Sequence, residues 1–366
     1  MKKGICILLS VLWGLSSYGQ DPKPIRNLDL NPFYGSILLH NPDISHLIRA
    51  HPAGFILGLN RKTFGSEPWE QRYGYPDQGI SFIYQDMGNA TLGSNFGIYL
   101  HYNFYFWKRR LKARIGQGLA FNTNPYDPVD NFRNNAYGSA FMSSTYLMFQ
   151  YHRERIWNRL GISAGITLVH YSNANVRAPN TSTNTLGLTA GLIYELDATQ
   201  PGAEPYKRWP EMPLDKRMRY NLVFRSGINE SDVVGSGQFP FYIFSAYADK
   251  RLAQVSAIQV GADVFFSHFL KELIAFQSNS FPELDVDPDA DFKRVGIFIG
   301  HELFINKLSV TTQLGYYVYY PFDFEGRVYN RVGIKRYFGE KWFGAISLKS
   351  HGAKAEAIEF GVGIRL

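Results

Sequence analysis

The run Leu160-Gly161-Ile162-Ser163-Ala164-Gly165-Ile166-Thr167-Leu168-Val169-His170-Tyr171-Ser172 has a period of two. Its even positions, traced back to Ile156, are nearly all apolar until His170 and Ser172. Its odd positions, Gly161, Ser163, Gly165, Thr167, Val169 and Tyr171, are mostly small or polar. Residues i and i+2 of an extended chain share a face, so the segment reads as a strand with one apolar and one small-polar side. If the apolar side meets lipid, the strand belongs to a membrane barrel, and His170 and Ser172 project side by side toward the lipid. A serine beside a histidine is the minimum for a nucleophile with its base. On a lipid-facing surface, that pair implies a lipid substrate.

The same alternation recurs in both directions along the chain. Phe96, Ile98, Leu100, Tyr102, Phe104 and Phe106 oppose Asn95, Gly97, His101 and Asn103. Near the end, Ile358, Phe360, Val362, Ile364 and Leu366 oppose Glu359, Gly361, Gly363 and Arg365. Beyond residue 20 no long helical period appears. Sixteen strands are expected, at about 33-40, 53-61, 78-86, 92-106, 111-123, 138-152, 156-171, 184-195, 217-226, 238-250, 256-268, 293-302, 307-319, 328-338, 342-350 and 356-366, with twelve as the lower bound. A soluble sandwich also alternates, but a tilted strand needs about 9–11 residues to cross a bilayer, and most of these segments are that long. The fold class is therefore all-β: a transmembrane antiparallel β-barrel of the outer membrane.

Composition agrees. The chain has 24 tyrosines, 28 phenylalanines and 34 glycines in 366 residues, and its mean hydropathy of −0.21 excludes a bundle of membrane helices. A barrel averages out its lipid signal in this way, and the aromatics suit girdles at two interfaces. Lys2, Lys3 and the apolar run Ile5 to Leu15 read as a secretory signal over residues 1-20. The single cysteine, Cys6, lies inside it, so no thiol or disulfide chemistry is expected of the mature chain. Losing Lys2 and Lys3 takes the formal charge from +7 to +5. No basic run accompanies that excess, so no nucleic-acid partner is expected.

Residues 21-366 are expected to form a single barrel. With both termini in the periplasm, short turns near Trp107-Lys108, Arg153-Glu154, Ala253-Gln254, Asn306 and Phe338-Gly339-Glu340 fall inside, and the longer connections 124-137, 227-237, 269-292 and 319-327 fall outside. Two inner connections, 62-77 and 196-216, are long. The second, with Pro201, Pro205, Pro210 and Pro213, reads as a rigid linker between two halves of the barrel. In this phase His170 and Ser172 reach the outer leaflet, which in a Gram-negative cell is lipopolysaccharide.

His170-Tyr171-Ser172-Asn173-Ala174 followed by Pro179-Asn180 resembles the signature of the PagL-type lipid A 3-O-deacylases. The wider pattern resembles their larger acyloxyacyl hydrolase relatives: Tyr126-Asp127-Pro128, Asn131-Phe132, Asn135, Tyr137, Gly138 and Leu186-Gly187-Leu188. The likeness covers about residues 33-195; the additional strands over 217-366 carry none. The resemblance implies an outer-membrane esterase that removes an ester-linked acyl chain from lipid A, with His170 as base, Ser172 as nucleophile, and Asn173 and Ala174 in the oxyanion hole. The family's third triad member is a glutamate fourteen residues after the histidine. Here that position is Asn184, which shares the apolar face of its strand with Leu186, Leu188 and Leu192. An asparagine can accept the histidine N–H but does not compensate the imidazolium charge.

Blander readings stand beside these. His170 and Ser172 also fit two interfacial polar residues at a strand end. Asp127, Asp130, Asn131, Asn134 and Asn135 carry oxygen ligands of the kind calcium takes, yet such residues routinely cap turns, so neither a metal nor a cofactor is assigned. His301-Glu302 lacks the second histidine of a zinc site. Lumen charges such as Lys112, Arg114, Asp263, Glu302 and Arg365 pair with one another or face water. A porin-like or non-catalytic barrel is the alternative to the esterase.

Overall fold

Residues 25–197 and 206–366 are described by the computed structural model. The signal segment 1-20 lies outside the described residues, as do Pro201 and Pro205. Among the described residues sixteen strands form: β1 (Arg26–Ile37), β2 (Ala53–Arg61), β3 (Asp77–Asp86), β4 (Ser94–Phe106), β5 (Leu111–Asn122), β6 (Phe141–Trp157), β7 (Leu160–Ser172), β8 (Thr183–Glu195), β9 (Met218–Asn229), β10 (Phe239–Ala253), β11 (Ser256–Ser267), β12 (Lys293–Ile305), β13 (Leu308–Tyr319), β14 (Val328–Phe338), β15 (Trp342–His351) and β16 (Lys354–Arg365). Each pairs antiparallel with its neighbours. The alternation sorts as expected: Ile98 and Leu100 are exposed on the outer wall while Tyr99, His101 and Asn103 are buried within.

The expectation of one barrel is corrected. The sixteen strands close as two eight-stranded barrels, β1–β8 and β9–β16. β8 returns to β1, from Thr185 opposite Ile37 to Glu195 opposite Asn27, and β16 returns to β9, with Phe360 opposite Ser226 and Arg365 opposite Asn221. The physical reason lies inside. A barrel of about eight strands has a bore that side chains fill, whereas about sixteen leave an aqueous channel. The inward charges here reach one another across a narrow bore. In the second barrel Arg331 bonds Glu359 Oε2 at 2.6 Å and Asp263 Oδ2 at 2.9 Å, and Lys335 bonds Glu302 at 3.0 Å. In the first, Arg114 pairs with Asp29 and donates to Asn103 at 2.6 Å. Buried Asn31, Asn60, His101 and Gln150 extend that polar network, and an apolar cluster that includes Phe33, Ile56, Ile83, Tyr99, Tyr137 and Tyr171 also packs the interior of the first barrel.

Smaller differences have local causes. β1 starts at Arg26, seven residues before the expected start at 33. Its wall-facing Leu28 and Leu30 alternate with buried Asn27, Asp29 and Asn31, but Pro32, which carries no N–H, interrupts the pairing with β8 and hides the strand. The β6–β7 turn lies beyond Trp157 rather than at Arg153-Glu154, after an irregularity in pairing between Arg153 and Trp157; Asn158 takes a left-handed φ of 54° there. The connection 269-292 contains a helix, His268–Ser280, whose buried Phe269, Leu270, Leu273 and Ile274 have helical spacing.

The two barrels lie in contact at both ends. At the end opposite Ser172, the connection between β2 and β3 carries a short helix, Pro68–Arg72, and Tyr73 donates to Phe304 O of the second barrel at 2.8 Å. The interbarrel linker is pinned to the same connection: Lys207 N donates to Phe64 O at 2.7 Å and Trp209 Nε1 to Gly65 O at 2.8 Å. The contacts at the other end involve the loop that follows Ser172.

Candidate active site at the rim of the first barrel

β7 delivers His170 and Ser172 to the outer wall, and β8 starts one turn away with Asn184 directly opposite His170 in register. The pairing continues sideways. Gln117 opposes Thr145 and Thr145 opposes His170, so Gln117, Thr145, His170 and Asn184 form one polar row across β5, β6, β7 and β8. Below that row the outer wall is apolar, with Ile115, Leu147, Leu186 and Leu188 exposed. Polar side chains in such a row belong near an interface rather than in the hydrocarbon centre, where they are costly.

His170 Nδ1 lies 2.8 Å from Asn184 Oδ1. With the asparagine oxygen as acceptor, the imidazole carries its proton on Nδ1 and presents the Nε2 lone pair. The shared phase expected for His170 and Asn184 is therefore a direct contact. Glu195, on the inward face, is elsewhere: Arg155 and Lys62 hold it at 2.6 Å and 3.2 Å.

Ser172 is only 6 % exposed, so its hydroxyl is covered by the loop 173-182 rather than presented openly. Ser172 Oγ receives Ala174 N at 2.9 Å and lies 3.1 Å from Asn180 Oδ1 and 3.0 Å from Asn180 Nδ2. Among the described hydrogen bonds the serine's side-chain partner is Asn180, and none joins it to His170. Asn173 N donates to Asn180 Oδ1 at 3.0 Å, and Asn173 Nδ2 donates to Arg177 O at 2.7 Å. Two consecutive backbone N–H groups thus lie around the serine, that of Ala174 on Ser172 Oγ and that of Asn173 on Asn180 Oδ1, an arrangement of adjacent donors of the kind an oxyanion hole uses. Ala174 and Asn175 reach it through left-handed φ of 53° and 59°. For Ala174 that conformation carries a steric cost of about 1–2 kcal/mol, which the surrounding bonds offset.

The structure brings His170, Ser172, Asn173, Ala174 and Asn184 together at one rim. It adds Asn180, which sequence reasoning quoted within the Pro179-Asn180 signature and did not place in the site. The loop candidates go elsewhere. Asp127 Oδ1 accepts Val129 N at 2.8 Å and Asp130 N at 2.9 Å, a turn cap. Asn135 O receives Thr181 N at 3.1 Å and so braces the site loop.

Fold and site together define an all-β barrel protein with a histidine–serine–asparagine cluster on its outer wall. Residues 53–192 match the family described as lipid A 3-O-deacylase (PagL), and residues 218–366 match the acyloxyacyl hydrolase C-terminal domain. The chain belongs to this PagL and acyloxyacyl hydrolase family, and the second match corrects the expectation that 217-366 resembles nothing. The two matched segments fall one in each barrel. Among solved structures, that of the outer membrane enzyme PagL is 18% identical, covers 44% of this chain and 97% of its own, and has a TM-score of 0.27. A variant of the Rh. blastica porin is 9% identical, covers 93% of this chain and 100% of its own, and has a TM-score of 0.21. No curated protein matches the chain.

Proposed function

We propose that the protein is an outer-membrane serine esterase that removes an ester-linked acyl chain from lipid A in the outer leaflet of a Gram-negative bacterium. The observation that carries the reading is the His170–Asn184 contact at 2.8 Å on the lipid-facing wall, two residues from a serine flanked by backbone N–H donors. In the reaction, Ser172 Oγ attacks the ester carbonyl while His170 Nε2 takes its proton. Oxygen charge develops on the former carbonyl, where the N–H groups of Asn173 and Ala174 stabilise it. The C–O bond to the sugar oxygen then breaks, and His170 returns the proton to that leaving alkoxide. Water, deprotonated by His170, hydrolyses the acyl-serine and releases the fatty acid. Asn184 holds the tautomer throughout but leaves the imidazolium charge uncompensated, so a slower reaction than a glutamate would support is expected.

One observation favours a second reading. Ser172 bonds Asn180 rather than His170, as in a barrel that keeps the signature without the chemistry. Catalytic bonds are commonly unformed before substrate arrives, so the esterase reading is preferred. Mass spectrometry of lipid A from cells with the protein, without it, and with Ser172→Ala decides between them. Loss of one acyl chain only with the unsubstituted protein supports the esterase. Identical lipid A in all three supports the non-catalytic barrel.

A further inference from the structure

We propose that the second barrel positions the nucleophile loop of the first, and that Glu230 is the positioning residue. The inference rests on the reading of Ser172 as the nucleophile for its kinetic consequence, though not for the contact itself. Glu230 follows β9 directly and is 5 % exposed. A carboxylate that buried is costly unless its lone pairs are filled. Glu230 fills them with backbone N–H groups from both barrels. Oε2 accepts Ala178 N at 2.9 Å, and Oε1 accepts Gly237 N at 3.2 Å. Its own backbone N–H donates to Asn175 O at 2.9 Å.

The contact is continuous with the serine. Asn175 Nδ2 donates to Asp232 Oδ1 at 3.1 Å, Asn175 Oδ1 accepts Asn180 Nδ2 at 3.2 Å, and Asn180 Nδ2 lies 3.0 Å from Ser172 Oγ. Gln238 Nε2 adds a bond to Val176 O at 2.7 Å. On the opposite side the loop is pressed against Gly138, where an added Cβ would stand 2.4 Å from Arg177 O and 2.7 Å from Ala178 C. The segment 175–178 is thus held between a glycine of its own barrel and an acidic residue of the other. Its left-handed residues Ala174 and Asn175 need such outside support, and they set the N–H groups beside Ser172. A family whose catalytic signature lies wholly in the first barrel therefore has a physical use for the second.

The test uses the full-length protein carrying Glu230→Ala, and Glu230→Gln in case the first does not assemble. Heat-modifiable migration checks assembly. The substrate is hexa-acylated lipid A in mixed micelles. A misplacement on the scale of an ångström costs on the order of a hundred-fold in rate, so kcat is expected to fall about ten- to a hundred-fold in Glu230→Ala while KM stays near the unsubstituted value. Glu230→Gln is expected to fall between, because an amide oxygen can accept only one of the two N–H groups without presenting N–H to the other. Trypsin supplies a readout free of catalysis. The Arg177–Ala178 bond, with an exposed arginine side chain but a buried Ala178, is expected to resist in the unsubstituted protein and to be cut once Glu230 no longer holds Ala178 N. Assembled Glu230 variants with unchanged kcat and unchanged trypsin resistance would overturn the proposal while leaving the esterase reading standing. If the unsubstituted protein cleaves no ester and Glu230→Ala alone gains the trypsin cut, the clamp stands and the esterase reading falls.

Discussion

The seventh and eighth strands of each barrel make a hairpin at the same end, and the two hairpins differ in a way that separates scaffold from site. β7 closes on His170-Tyr171-Ser172 and leads into a ten-residue loop; β15 closes on Ser350-His351 and turns back through Gly352 and Ala353 alone. In the first hairpin the histidine falls on the outer wall. In the second it falls on the inner face beside Lys349, where His351 Nε2 lies 3.1 Å from Tyr317 Oη and Nδ1 3.5 Å from Glu356. With a period of two, one step of phase moves a side chain from lipid to interior. The second histidine thus joins an interior network, and its hairpin has no loop with which to gather donors around a serine. The same architecture carries a candidate site in one copy and packing in the other, so the phase and the loop supply the chemistry.

The most forceful way to break this comparison is to remove each histidine in turn. His170→Ala and Ser172→Ala are each expected to lower ester hydrolysis on the order of a thousand-fold or more, because groups that act as a unit each cost most of the effect. His351→Ala is expected to leave the rate per assembled molecule unchanged. Assays on refolded protein, with assembly checked by gel migration, read both. Equal losses from His170→Ala and His351→Ala would dissolve the distinction between the barrels.

The next effect concerns stability. Arg331 joins Asp263 and Glu359 inside the second barrel. Arg331→Met would leave both buried carboxylates with Arg225, 3.9 Å from Asp263 and 3.5 Å from Glu359, as their remaining cationic partner. Removing one partner of a buried ion pair typically costs about 3–5 kcal/mol, and Arg225 offsets part of that. The expected outcome is a lower unfolding midpoint in denaturant. The site in the first barrel should keep its activity until the interface at Glu230 is lost.

The strand pattern was readable from the chain because lipid on one side and packing on the other impose it residue by residue. Ile98 and Leu100 against His101 and Asn103 needed no knowledge of the partner strands. Closure was not readable. Whether β8 turns back to β1 or continues to β9 depends on which edges pair, and the period of two is the same in either case. Arg331 illustrates the point: its sequence neighbours mark it as inward-facing but do not reveal that Asp263, 68 residues away, lies across the bore. The site was half readable. His170 and Ser172 follow from phase and spacing, Asn184 came from the family resemblance, and Asn180 stood in the quoted signature without a role. Glu230 had no local signal, since it acts on a loop 52 residues upstream in a different barrel.

Asn184 sharpens the comparison with a smaller effect. Asn184→Ala removes the acceptor from His170 Nδ1. A hydrogen bond to a group that becomes charged is worth about 1.5–3 kcal/mol, so a loss of about tenfold or more in kcat is expected, with Ser172 still the acylated residue. Asn184→Glu is expected to be neutral or faster, because a carboxylate also stabilises the imidazolium and its cost near an interface is modest. Unchanged kinetics in Asn184→Ala would remove Asn184 from the mechanism.

The smallest expected effect belongs to Asp127, an acid in the loop 124-137, whose Asn135 braces the site loop. Its side chain accepts the N–H groups of Asp130 and Val129, and these bonds hold its carboxyl below the ordinary value of 3.8. A depressed carboxylate stabilises the fold above its unfolded pKa, and the contribution is lost as pH falls through the folded value. The turn 127-131 should therefore keep its amide protection at neutral pH and lose it only in acid below 3.8. Hydrogen exchange at Val129 and Asp130 follows this directly, and Asp127→Asn, whose oxygen still accepts without titrating, should abolish the acid step. Because these bonds point into its own turn, Asp127→Ala is expected to change the esterase rate by no more than about twofold, as for an ordinary surface substitution. A loss matching that of Asn184→Ala would shift the orienting role to the loop 124-137 and make the His170–Asn184 contact incidental.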